Sequence, residues 1–541
     1  MAELRPGGSS RGARVALRAL FAVVLGLAVV LVWRSSFPTV EGRRGFCLFD
    51  DAMISLRYAA NLAHGQGLVW NPGERVEGFT NPLMVFLMTA AVGAAGTWYA
   101  PLVVQLLGIA ILLATLALVA ALVRRDLGRS DGAVLAATAA AAEFYPLAYW
   151  SIMGMETGLL TLLLLVAFLA DARDPLGQEP RLRKLLVAAS ALALLTRPDA
   201  TLFLGVLFAA RWMRDIRRRF PPVAVEGAAA LLPVVAYVGL RRVYYGQWLA
   251  NVYYLKLAGL PLAERVHDGL AFCRNLWPAL ALAGLVALGF VMLRRRDRGD
   301  GQAAGFTGRA LLIFGLSLVY QVLAGGDAWP PYWRLTVPAQ VLLLAAAVTA
   351  VERLWRVGRL RRSVRTGLLV ALVAGVATDS ARLYSDLATL RPWTSDFNYQ
   401  NSNTGMVLRR LTTDKATVAA YWAGAIPYYA ERVAIDPLGK MDPAIAHRRA
   451  GSPLSWGGMR QVPGHNKLDL GQSLIARRPT FIQWSDLACE LGGDDLRAWC
   501  RESYVIVKAA GQLPMLLLKG SPDVRWEMLV QAPATPWSST P

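Results

Sequence analysis

Charge is scarce in this 541-residue chain: 17 % of its residues are Asp, Glu, Lys or Arg, against about 25 % in an average globular protein. Acidic residues are the scarcer sign, 37 against 57 Lys plus Arg, for a net charge of +20. Four cysteines are too few for a disulfide scaffold or a multi-cysteine metal fold. Four scattered histidines, His64, His267, His447 and His465, show no zinc-ligand spacing. The absence of a Walker motif and of a dinucleotide fingerprint argues against a nucleotide-driven pump. The scarcity of charge argues against a disordered chain, a coiled coil and an ordinary soluble enzyme.

Hydrophobic residues are abundant, at 55 %, and they run in uncharged blocks long enough to cross a bilayer. Basic residues fall in short runs between these blocks, as they do in cytoplasmic loops. The positive charge therefore reads as membrane topology, and no nucleic-acid partner is expected. Arg5, Arg11 and Arg14 precede the apolar run Ala19–Trp33, and no small-x-small cleavage pattern follows it. This reads as a signal anchor with a cytoplasmic N-terminus. Asn81-Pro82 opens a short apolar stretch to Ala95, expected to be interfacial or re-entrant, ahead of a secure span at Ala100–Val123. Further spans are expected at 131–148, 157–171, 185–197, 199–213, 222–240, 270–293, 309–323, 335–351 and 366–378. The fold class is thus a polytopic α-helical membrane protein of about eleven transmembrane helices. Alternation of the basic runs puts the remainder outside the cell membrane.

Two domains are expected. Residues 1–378 form a transmembrane catalytic domain with an outer loop at 34–99, and residues 379–541 form a C-terminal extracytoplasmic α/β domain. That tail carries turn signals at Asp436-Pro437, Asp442-Pro443 and Gly457-Gly458, and β-rich runs at Tyr504–Lys508 and Met515–Leu518. Cys489 and Cys500 both fall in it. An oxidising exterior permits a disulfide between them; two buried thiols are the alternative.

If the topology holds, the chemistry-bearing residues share the outer side. Asp50 and Asp51 precede an amphipathic helix over Ala52–His64, with Met53, Leu56, Ala60 and Ala63 on one face. An Asp at a helix start is a good N-cap. A carboxylate there also stays ionised and can accept a proton from a hydroxyl. Lys256, Arg197 and Arg334 lie at outer helix ends. They could meet a phosphate leaving group or snorkel to lipid headgroups. Glu143 lies near the outer end of a predicted span, and Glu156 either caps a helix or works in the site.

The stretch from Phe49-Asp50-Asp51 through Trp70-Asn71 and Glu77 to Asn81-Pro82 resembles the first outer loop of the GT-C membrane glycosyltransferases. The similarity is nearest the branch of the mycobacterial terminal arabinofuranosyltransferase AftB and its bacterial relatives. It continues in order through Tyr149-Trp150, Gly154-Met-Glu-Thr157, Thr196-Arg-Pro-Asp199, Tyr244-Tyr-Gly246, Asn251-Val-Tyr-Tyr-Leu-Lys256 and Gly325-Gly-Asp327 to Tyr332-Trp-Arg334. In the tail it covers Ala425–Tyr429, Ile435–Gly439, Asp442 and Gly464–Lys467. Departures at Met53, Phe79 and the segment after Asp327 touch the pocket lining.

The resemblance implies a polyprenyl-phosphate sugar donor, a cell-envelope glycan acceptor and inverting transfer at an outward-facing site of the bacterial inner membrane. The sugar would be arabinofuranose or a hexose such as mannose. Asp50 would be the general base and Asp51 would orient the acceptor or the base. Lys256, with Arg197 and Arg334, would bind the donor phosphate. Arg57, Trp70, Asn71, Glu77, Glu156, Asn251, Tyr254 and Asp327 would line the acceptor pocket. No cofactor is implied with certainty, and divalent-metal use is left open, because Lys and Arg can stabilise a monophosphate leaving group alone. The competing readings are a flippase or transporter for lipid-linked sugars and a glycan-binding assembly subunit.

Overall fold

The computed structural model describes residues 10–40, 42–127, 130–174, 177–215, 222–294, 301–327, 333–358, 360–381, 395–451, 460, 462–483, 493–507 and 515–529. The chain opens with α1 (Arg11–Ser35), a short hairpin of β1 (Phe37–Pro38) and β2 (Arg44–Gly45), and α2 (Asp50–Ala63). Next come α3 (Pro82–Ala121), α4 (Asp131–Glu143), α5 (Tyr145–Ile152), α6 (Thr157–Arg173), α7 (Pro180–Thr196) and α8 (Ala200–Asp215). They are followed by α9 (Pro222–Tyr245), α10 (Asn251–Lys256), α11 (Leu262–Arg274), α12 (Trp277–Arg294), α13 (Gly301–Ala324), α14 (Val337–Arg356) and α15 (Arg362–Asp379).

Among the described residues five helices are long and apolar enough to cross a membrane, or up to seven if each bent pair forms one span. The other expected spans correspond to shorter helices. The stretch expected as one span at 131–148 is two helices. The chain leaves helical geometry at Phe144 (ψ 89°) before α5; Pro146 fits the first turn of α5, but in a continuous helix it would have no N–H to donate and its ring would clash with the carbonyl four residues back. The stretch at 270–293 is α11 joined to α12 at a bend of 80°. The break expected between Ala95 and Ala100 falls at Gly96, whose φ of 71° lies in the region that glycine enters without steric cost.

Helix α2 departs from the amphipathic expectation. From Ala52 to Ala60 every residue is buried, Arg57 included, because the C-terminal segment covers the face that would otherwise meet water. That segment runs through α16 (Ser395–Leu411), β3 (Thr417–Ala419), α17 (Ala425–Ala430), β4 (Val433–Ile435), α18 (Pro443–Ala446), β5 (Phe481–Gln483), α19 (Gly493–Ser503), β6 (Tyr504–Val507) and β7 (Met515–Leu518). Its five-stranded sheet has the order β4-β3-β5-β7-β6. β3 pairs in parallel with β4 and β5, and β7 pairs antiparallel with β5 and β6. One face packs Ile435, Ile482 and Leu516 with Leu474 and Cys500; the other packs Val418, Phe481 and Leu517 against Leu408 of α16. The expected β-runs at 504 and 515 are β6 and β7. Of the proposed disulfide pair, Cys500 is buried in the sheet core, and Cys489 lies outside the described residues.

Candidate functional site

A polar cavity of about 70 Å³ sits where α2, the 78–81 segment, α10 and the C-terminal segment meet. Its charged lining is Asp51, Glu156, Arg197, Lys256, Arg334 and Lys440. Asp51 points into it with both carboxylate oxygens engaged. Lys440 Nζ donates to Oδ1 at 2.6 Å and Arg334 Nη1 to Oδ2 at 3.0 Å. Burial alone would raise the Asp51 carboxyl, but Lys440, Arg334 and Lys256 outweigh it and hold it well below the usual carboxylate range. Arg334 is fixed by Asp327, which takes Nε at 3.1 Å and Nη2 at 3.4 Å.

Lys256 ends α10 and reaches the same cavity with no hydrogen bond or ion pair among the described residues. Burial pushes its ammonium down to about 8, with Arg334 and Lys440 adding to the effect against Asp327 and Asp51. His465 lies beside this cluster and is pushed down to about 4, by burial first and then by Lys440. Glu156 accepts from Arg197 Nη1 at 2.5 Å and from Asn81 Nδ2 at 2.9 Å, and Arg197 Nε also pairs with Asp199 at 2.7 Å. Glu156 occupies the N-cap position of α6 without capping it. Asn81 likewise stands at the N-cap of α3 but spends its side chain on Glu156 and Ser55.

Asp50, expected as the base, does not line the cavity. It is 4 % exposed, and its two oxygens accept the backbone N–H groups of Ala425 at 2.9 Å and Gly424 at 3.1 Å. It caps a helix, as one sequence reading allowed, but that helix is α17, on the far side of an interface. Burial raises its carboxyl to about 6, with the Asp51 charge adding and the two amides and Lys440 opposing. Asp51 faces the cavity together with Ile54 and Ser55 of the same helix, whereas Asp50, about 100° round the helix, is turned toward α17.

Several residues expected in an acceptor pocket do other work. Arg57 donates to the carbonyls of Trp70 at 2.6 Å and Arg432 at 2.8 Å, to Asn71 Oδ1 at 2.9 Å and to the Pro427 carbonyl. Trp70 lies under its guanidinium at 4.9 Å. The Asn71 amide accepts from Ala434 N–H and donates to Ala434 C=O, like a strand added at the β4 edge. Glu77 is bound by Arg241 and Tyr237 of α9. All four are therefore tied into contacts between segments. Tyr254 stacks on His447 with ring centroids 4.4 Å apart. Asn251 donates to the carbonyls of Gly439 at 3.0 Å and Lys440 at 2.9 Å, so it positions the lysine rather than lining the cavity.

Lys440 is the residue that sequence reasoning missed. The available signal was a lysine inside the turn Asp436-Pro-Leu-Gly-Lys-Met-Asp442. Asp436 accepts from the amides of Leu438 and Met441 and shapes that turn. Gly439 takes φ 84°, and a Cβ there would lie 2.5 Å from the Ile445 side chain. Among the described residues no group of three or more His, Cys, Asp or Glu gathers to hold a metal ion.

A second cavity, apolar and about 580 Å³ in volume, lies between α12, α14 and α15. Its lining follows α14 from Gln340 to Leu354, about 20 Å of helix. At its upper end Gln340 donates to Thr336 at 2.9 Å, two residues from Arg334.

The profile of a family described as a domain of unknown function (DUF8728) matches residues 390–517. No curated protein matches. Solved structures do. ArnT from Cupriavidus metallidurans bound to undecaprenyl phosphate superposes with a TM-score of 0.57 at 12 % identity, over 92 % of this chain and 97 % of that one. The apo form of the same protein gives 0.55 at 13 % identity, over 93 % and 98 %. The oligosaccharyltransferase AglB from Archaeoglobus fulgidus, in complex with an inhibitory peptide and a dolichol-phosphate, gives 0.50 at 13 % identity, over 78 % and 64 %. The chain therefore has the GT-C fold and is a multi-pass membrane protein.

Proposed function

We propose that this protein is a membrane glycosyltransferase that moves a sugar from a polyprenyl-phosphate donor to a hydroxyl of a cell-envelope glycan, with inversion. The observation that carries this reading is one carboxylate, Asp51, set among the cations Lys440, Arg334 and Lys256 around a small polar cavity. Lys256 has no ion pair among the described residues, which suits an incoming phosphate. Two of the structures with this fold contain a polyprenyl phosphate or a dolichol-phosphate. The apolar groove beside α14 suits an isoprenoid chain whose head lies near Arg334. About eleven spans, a catalytic part over 1–378, an outer domain over 379–541 and an outward-facing site in the bacterial inner membrane complete the proposal. The sugar is arabinofuranose or a hexose such as mannose.

In this scheme Asp51, rather than Asp50, takes the proton of the acceptor hydroxyl. The acceptor oxygen forms the new bond to the anomeric carbon as the bond from that carbon to the phosphate oxygen breaks. The electron pair leaves on the phosphate, where Lys256, Lys440 and Arg334 meet the added charge. Asp327 holds Arg334 in place, and Asn251 holds the Lys440 turn. Purified protein incubated with a panel of polyprenyl-phosphate sugars and envelope glycan fragments should release the polyprenyl phosphate and lengthen the glycan. Movement of lipid-linked sugar across vesicles without any transfer would instead establish a transporter.

A further inference from the structure

Resting on that reading, we infer that Lys440 is an exchangeable cation: it binds Asp51 while the site is unliganded, passes to the donor phosphate when the donor enters, and so frees Asp51 to accept the acceptor's proton. The charges around the cavity favour such an exchange. Lys256, Lys440, Arg334 and Arg197 face Asp51, Asp327, Glu156 and Asp199. Four cations meet four carboxylates before any ligand arrives; Lys256 has no ion pair among the described residues, and any second cation for an incoming anion must come from a carboxylate.

Only Asp51 is placed to give it up. Its side chain is 29 % exposed, whereas Asp327, Glu156 and Asp199 are 2 %, 3 % and 4 % exposed. Of its two partners, Arg334 is pinned by the two bonds it donates to Asp327. Lys440 has a fixed backbone, through Asn251 and Asp436, but a flexible four-carbon stem with three donors. The Lys440 ammonium can therefore swing while its anchor stays. Proton transfer to Asp51 removes one negative charge from the cluster as the leaving phosphate gains one, so the local charge is unchanged across the reaction. Donor binding must come before deprotonation of the acceptor, because Asp51 is a useful base only once Lys440 has moved.

The test is a titration of the full-length protein in lipid nanodiscs with decaprenyl monophosphate, and with decaprenol as the uncharged reference. Wild type should prefer the phosphate lipid. Asp51→Asn should bind it about tenfold more tightly, since the competing anion is gone, and Lys440→Gln about tenfold more weakly. Decaprenol binding should be the same in all of them and reports an intact fold. Asp51→Ser, which also removes the charge, should tighten binding too and covers a failure of the Asn variant to fold. Unchanged or weaker phosphate-lipid binding in the Asp51 variants that keep decaprenol binding, or no loss in Lys440→Gln, overturns the exchange while leaving the donor class standing. Equal binding of the two lipids by wild type overturns the donor class and the exchange with it.

Discussion

The substitution Asp50→Asn separates the two neighbouring carboxylates. The native carboxylate receives two backbone N–H groups of the C-terminal segment, at 2.9 and 3.1 Å. An Asn can accept only one and turns an NH₂ toward the other. Leaving a buried donor unpaired costs about 1–3 kcal/mol. Part of this is offset, because the carboxylate itself is disfavoured: burial raises its carboxyl from 3.8 to about 6. The native state then holds this proton more tightly than the unfolded chain does. Asp50 therefore makes wild type most stable below about pH 4 and progressively less so up to about pH 6, by up to about 3 kcal/mol. Asp50→Asn has no such slope. The purified protein should show a modestly lower thermal midpoint at pH 5 and a smaller difference at pH 7, where wild type has lost its advantage. Its turnover should remain within a few-fold of wild type. Asp51→Asn should melt below wild type at neutral pH, because the native state holds this carboxylate ionised against Lys440 and Arg334, and among the molecules that stay folded it should transfer about a hundredfold or more slowly, the usual contribution of a positioned base. An Asp50→Asn protein that melts like wild type at both pH values but is inactive would refute this division and return the base to Asp50.

Three further outcomes are expected. The kcat/KM for donor should fall tenfold per pH unit above about 8 as free Lys256 loses its proton, and Lys256→Arg should move that fall beyond the assay range. Asn251→Ala should raise the donor KM about tenfold, and combining it with Lys440→Gln should add little, because Asn251 acts through that lysine; fully additive losses would contradict this. Arg57→Met should destabilise the protein by about 3 kcal/mol or more, since it strips hydrogen bonds from buried carbonyls in two segments, and limited proteolysis should then release the C-terminal segment.

Much of the cavity's charged lining is legible in the sequence: Asp51, Glu156, Lys256, Arg197 and Arg334 stand out by charge placement and ordered motifs, whereas Asp50, singled out with them, lies outside it. Three things are not legible there. Which of two adjacent acids faces the cavity is a matter of helix rotation, and rotation is set by α17 packing on α2 from residues far along the chain. Arg57, Asn71 and Glu77 look like ligand-binding residues because buried polar groups must find partners; their partners lie in other segments, and sequence spacing does not reveal them. Lys440 belongs to the tail, where no apolar periodicity points toward the membrane half. Its place in the site exists only because a tight turn at Gly439 is held by Asn251.

The Asn71 amide on Ala434 has a practical consequence. Strand β4 ends the sheet, and a free sheet edge recruits other strands. In the intact chain a side chain from the outer loop occupies part of that edge. Cutting out the C-terminal segment for separate expression would strip away this plug, and the excised piece should self-associate through β4. A soluble version needs a replacement, such as a lysine at Val433, which is already 43 % exposed, to keep neighbouring copies apart.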